Sequence, residues 1–134
     1  GLDHLLNVEL GATAKEANWY VGIFKGNATP TTGWIASTVA SVGVSDECTT
    51  YTEASRPLWQ KGVASSQSIT NSVNKAEFTI SSGATIYGAF LISDSTKAGT
   101  DGVLFAASRF TNARTVVTDD LLLVTYTVTA SNPA

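Results

Sequence analysis

The sequence predicts an all-β chain: an antiparallel β-sandwich or barrel, Ig-like or jelly-roll, with a short helical arm at its N-terminus. Three observations carry this. Short apolar runs recur along the 134 residues with Gly, Pro, Asn and Asp between them, the punctuation of strands and turns. Several runs alternate with a period of two, which places one side of a strand inward. No helical pattern is long enough for a βαβ crossover. The expected division is an arm over 1–18 and a single β domain over 19–134, with about seven or eight strands. A chain of this length buries roughly two thirds of its unfolded surface. It needs no metal or disulfide to hold a core.

Leu2, Leu5, Leu6, Val8 and Leu10 are spaced by three and four, the period of a helix face, and Gly11 ends the pattern. Asp3 in the first turn suits the helix dipole. So short an apolar stripe cannot stand alone in water and must dock on its own domain or a neighbour. NWYVGIF reads as a strand with Trp19, Val21 and Ile23 on one face and Tyr20 and Phe24 on the other, which predicts a central position. KGNATPTTG reads as a loop. The stretch from Trp34 to Ser55 fits a helical turn near Ile35–Val42 or an irregular loop. VASSQSITNS and KAEFTISSG predict two strands joined by a turn at Asn71–Lys75, with Ile69, Phe78 and Ile80 inward. TIYGAFLIS and VLFAASRF predict a hairpin across the polar loop DSTKAGTDG. A turn at Thr118–Asp120 leads into a last strand where Leu121, Leu123, Thr125 and Thr127 alternate with Leu122, Val124, Tyr126 and Val128. Ser131–Ala134 reads as a tail.

Composition narrows the function classes. Charged residues are only 14% of the chain and hydrophobic ones 43%, against a usual charged share of about 25%. A surface this neutral is poorly protected against association and suits a protein packed into an assembly. The net charge is -3 and no Lys/Arg cluster occurs, so a nucleic-acid partner is not expected. No apolar run reaches the ~18 residues of a membrane helix, and no membrane partner is expected. LDHLLNVEL is too short and too acidic for a signal peptide. Cys48 is the one cysteine; we read it as a small, semi-buried residue, compatible with a reducing compartment.

The residues offer little to catalysis. His4 is the only histidine, and it falls in the arm, away from any cleft a triad would need. Ser72 and Lys75 match Ser-x-x-Lys without its companion motifs. The candidate carboxylate pairs are Asp46–Glu47, Asp119–Asp120, and Asp94 with Asp101; Asp119–Asp120 sits where a strand begins after a turn, and there Asp commonly caps backbone N–H groups. Asp94, Ser95, Thr96 and Asp101 supply oxygen without EF-hand spacing. No catalytic residue, cofactor or metal site is expected.

YTEASRPLWQKG, residues 51–62, is the densest mixture of chemistry in the chain. Pro57 prevents a helix from running through it. A compact bend would bring Glu53 and Arg56 together as a charge-assisted pair, with Arg56 also placed to reach carbonyls or a neighbouring subunit. Trp59 would anchor in the core or an interface. Trp34, Tyr51 and Trp59 are the aromatics for a sugar-stacking face; core packing is the competing assignment. The bend therefore reads as a brace leading into the sheet.

Taken in order, LDHLLNVELGATAKEANWYVGIFKG, YTEASRPLWQKG, ITNSVNKAEFTI, IYGAFLISDSTKAGTDGVLFAASRF and DDLLLVTYTV resemble a family of small virion structural proteins of tailed bacteriophages, in particular capsid decoration (cement) proteins. The resemblance covers most of the chain, and the order of the pieces says more than any one of them. It implies a non-enzymatic protein, a homo-trimer, made in the bacterial host cytoplasm and bound to the major capsid protein on the exterior of the virion. There it would stabilise the shell against internal DNA pressure. It transfers no catalytic residues. The expected partner-contact residues are Leu2, His4, Leu5 and Leu6 of the arm, with Glu53, Arg56 and Trp59 at the bend. The alternative is a tail-associated or receptor- and glycan-binding β module, and a glycan hydrolase using Asp119 and Asp120 is the third class.

Overall fold

A computed structural model describes residues 2–130; the expected tail at 131–134 lies outside them. Over the described residues the chain is all-β and antiparallel, with one short α-helix. Helix α1 spans Leu2–Glu9. Its last turn is closed by the N–H groups of Leu10 and Gly11, both donating to the Leu6 carbonyl at 2.9 and 3.2 Å. A side chain at Gly11 would meet the Asn7 carbonyl at 2.7 Å, so glycine is required where the helix ends. The seven strands are β1 (Tyr20–Phe24), β2 (Ser68–Thr70), β3 (Ala76–Thr79), β4 (Ala84–Ile92), β5 (Leu104–Val116), β6 (Leu121–Val124) and β7 (Thr127–Thr129). They divide into a three-stranded sheet in the order β1-β4-β5 and two pairs, β2-β7 and β3-β6.

The β1-β4-β5 sheet is covered on both faces, and the pleat explains how. Val21, Ile23, Ile86, Ala89 and Leu91 enter the main core with Trp59, Phe78, Ile80, Val124 and Tyr126. Phe24, Phe90 and Ile92 point the other way, against Ala36, Val39 and Leu104. A single 3-10 turn at Ala36–Thr38 supplies part of that second cover, which resolves the ambiguous stretch after Trp34. Both faces of β1 are filled, as its residues predict. By order, however, β1 is an outer strand. Its free edge is instead taken by irregular chain: Tyr20 pairs with Leu58 and Phe24 with Glu47, and the N–H of Cys48 donates to the Ile23 carbonyl at 2.9 Å.

Two glycines fix the β1–β4 contact. Gly22 stands opposite Phe90, and Gly88 opposite Phe24. Each phenyl ring lies where a glycine side chain would be, so each aromatic covers the bare backbone of its cross-strand partner. At Gly88 the Ser108 carbonyl blocks the same space, and neither backbone nor ring can yield cheaply. Gly88→Ala is therefore expected to cost about 1–3 kcal/mol or more, read as a lower urea midpoint. An unchanged midpoint would contradict this packing.

The β4–β5 hairpin forms as expected, and β5 continues further, to Val116. The pairing is interrupted: Ile86 faces Arg114 and Gly88 faces Arg109, leaving Phe110–Ala113 bulged opposite Tyr87 alone. The expected hairpin between the strands flanking Asn71–Lys75 does not form. β2 pairs with β7, and β3 with β6. The turn exists, with the Asn74 N–H on the Asn71 carbonyl at 3.0 Å, but it sends the chain between two sheets. The last strand keeps its alternation of exposed and inward residues, yet breaks between Val124 and Thr127. The buried side chain of Asn71 fills the break. Its Nδ2 donates to the Val124 carbonyl at 3.2 Å, and its Oδ1 accepts from the Tyr126 N–H at 2.7 Å.

Candidate functional site

The bend at 51–62 is the hub that joins the sheets. Arg56 is only 1% exposed. Its guanidinium grips Glu47 through both carboxylate oxygens, Nε to Oε2 at 2.9 Å and Nη2 to Oε1 at 2.7 Å. Nη1 donates to the Asp94 carbonyl at 2.8 Å and Nη2 to that of Gly99 at 3.1 Å. The guanidinium also lies 5.3 Å from the Phe90 ring centre. Glu47 Oε1 accepts in addition the Ala98 N–H at 3.1 Å. A planar fork is the group that can satisfy a carboxylate and two carbonyls at once.

The expected Glu53–Arg56 pair is thus corrected: the partner of Arg56 is Glu47. Glu53 turns to β3, where its Oε1 accepts the Thr79 N–H at 2.8 Å and its Oε2 the Thr79 hydroxyl at 2.9 Å. The sequence spacing suggested a local pair. A bidentate site on a strand edge and a buried guanidinium elsewhere satisfy both groups better. Arg56 does reach carbonyls, as one expectation held, but both belong to its own chain. Arg56 and Trp59, both expected as partner contacts, are buried within the chain. Trp59 Nε1 donates to the Tyr126 carbonyl at 3.0 Å.

Lys97 completes the clamp. Its ammonium donates to the Tyr51 carbonyl at 2.6 Å and stands 4.0 Å from the Tyr51 ring centre. Tyr51 packs edge-on against Phe78 at 4.9 Å. Burial, with the nearby Glu47 carboxylate, pushes its phenol well above the ordinary tyrosine range. Tyr51 and Trp59 lie in the main core, and Trp34 packs on the second cluster beyond the sheet. The three aromatics therefore form no common stacking face. Glu47 and Lys97 were the members the sequence did not point to. Glu47 falls in the stretch read as a helical turn or an irregular loop, and Lys97 within the polar loop DSTKAGTDG.

Glu53 carries a pH signature. Burial raises its carboxyl, but the Thr79 N–H and hydroxyl, its own N–H and the Lys97 charge outweigh that and hold it below the usual range. A group lowered on folding stabilises the fold above its unfolded value, and that stabilisation is lost as pH falls through its folded value. Unfolding free energies of the wild type and Glu53→Gln should differ most near neutral pH, and the gap should close on acidification. A gap independent of pH would contradict the assignment.

The other candidates resolve individually. Asp120 Oδ2 accepts the Val117 N–H at 2.9 Å, capping its turn. Asp94 Oδ1 accepts the Thr96 N–H at 3.1 Å. Among the described residues no group of three His, Cys, Asp or Glu converges on a metal position, and no helix is long and apolar enough to cross a membrane. Cys48 is free and buried. In the arm, His4 packs edge-on against Trp19 at 5.6 Å, and Trp19 against Phe105 at 5.4 Å. Leu6 and Leu10 are 54% and 82% exposed. The side chains of Leu2 and Leu5 lie outside what the structure describes. No protein-family model matches the chain, and no curated protein matches it.

Proposed function

We propose that this protein is a non-enzymatic structural subunit of a tailed-bacteriophage virion. It decorates the outside of the capsid as a homo-trimer bound to the major capsid protein, and braces the shell against the pressure of packaged DNA. The observation that carries the proposal is where the apolar side chains are left. Leu6, Leu10, Ile35, Val42, Val63, Val73, Val117, Leu121 and Leu123 are all exposed, on a chain only 14% charged. Exposed apolar side chains on a surface with so few charges suit a subunit that functions by burying area. The polar groups, by contrast, are spent inside. Arg56, Glu47, Asn71 and Lys97 hold loops to strands. The order of sequence segments that resembles decoration proteins adds independent support. Repetition on a shell multiplies weak footprints into stable attachment.

The test is co-sedimentation of the purified chain with expanded heads that lack it. Binding is expected to saturate at a fixed ratio to the major capsid protein. Protein that stays in the supernatant at every concentration would overturn the proposal.

A further inference from the structure

The bulge in β5 opens a cleft of about 410 Å³ against β6, lined by Arg109, Phe110, Asn112, Arg114, Leu123 and Thr125 among others. Two of the chain's three arginines meet there, and among the described residues no acidic side chain lines it. Arg109 gives one nitrogen to Asn27 Oδ1 at 2.6 Å and lies 5.2 Å from the Tyr87 ring centre. Among the described residues the only ion pair is that of Arg56 with Glu47, so both arginines lack a carboxylate. Both are exposed. In a chain of net charge -3, this basic cleft with an apolar side is complementary to a segment that is acidic and apolar.

The chain contains such a segment. Leu6, Glu9 and Leu10 of α1 and its last turn are exposed together, and spacings of three and four put them on one face. None of the described side chains of the helix lines the cleft of its own chain. His4 holds it to Trp19, which packs on Phe105 near the other end of β5. We propose that the Arg109–Arg114 cleft receives the Leu6–Glu9–Leu10 face of α1 from a second copy of this chain. The contact joins two different surfaces, so it is head-to-tail and generates a ring where the rotation closes. It deepens the self-association in the proposed function. Its failure is separable from that of shell binding, because association is measured with no shells present.

The experiment is sedimentation velocity of the full chain over a dilution series, with two sets of surface variants. Arg109→Glu/Arg114→Glu removes the cleft, and Leu6→Asp/Glu9→Lys removes the helix face. Each alone is expected to raise the dissociation constant by about tenfold or more. Mixed together, one intact cleft meets one intact helix face, and a 1:1 dimer that cannot grow is expected. Circular dichroism melts of both variants, and the milder Arg109→Gln/Arg114→Gln and Glu9→Gln changes, separate lost contact from lost fold. A wild type monomeric at every concentration would overturn the proposal, as would variants that associate like the wild type. Association lost with the arginines but untouched by the helix changes would also overturn it, and would point to strand pairing along the β5 edge.

Discussion

Arg56→Ala is expected to lower the unfolding free energy by about 3–5 kcal/mol, a large part of the roughly 5–15 kcal/mol that holds a domain of this size. The reason lies in what would be left behind. Glu47 would keep its charge in a buried position with only the Ala98 N–H beside it, and the carbonyls of Asp94 and Gly99 would lose their donors. Three separate segments, at 47, 56 and 94–99, would lose their common anchor. Arg56→Lys should recover little, because one ammonium cannot reproduce two parallel bonds and two carbonyl contacts. Replacing Glu47 and Arg56 together by Leu and Met should be milder than Arg56→Ala, since no buried charge remains unpaired. Urea unfolding of the four proteins checks this. A double variant no more stable than Arg56→Ala would contradict it.

Asn71→Ala should come next in size. It strips a donor from the Val124 carbonyl and an acceptor from the Tyr126 N–H, both buried. An unsatisfied buried backbone group costs about 1–3 kcal/mol, so a loss of about 2–6 kcal/mol is expected for the two. Asn71→Asp should be at least as damaging, because a carboxylate keeps the acceptor, loses the donor and buries a charge. Hydrogen exchange should show the loss concentrated at Val124–Tyr126, where β6 gives way to β7. Exchange unchanged there would contradict the role given to Asn71.

Local signals in the sequence were enough for several elements. The three-and-four spacing and Gly11 define α1, the apolar run at 19–24 defines β1, and two runs about a Gly-containing loop define the β4–β5 hairpin. The Asp120 cap was likewise legible in its turn. What escaped was everything set by distant partners. Alternation reports which side chains of β2 and β3 face inward, but not that β2 joins β7 and β3 joins β6. Glu53 and Arg56 are three residues apart, and proximity along the chain suggested a pair. The Thr79 N–H and the Glu47 carboxylate, both brought in by the fold, compete more strongly for them. The break after Val124 was illegible because its cause is a side chain more than fifty residues earlier. At the bend, the sequence correctly indicated a brace, and misplaced what it braces: it ties loops of one chain together.

The most direct test of the shell-decoration proposal is imaging at subnanometre resolution of expanded heads lacking this protein, before and after the purified chain is added. The proposal predicts new, regular density on the outer surface at threefold or quasi-threefold positions. Bare shells, or density confined to the tail, would contradict it.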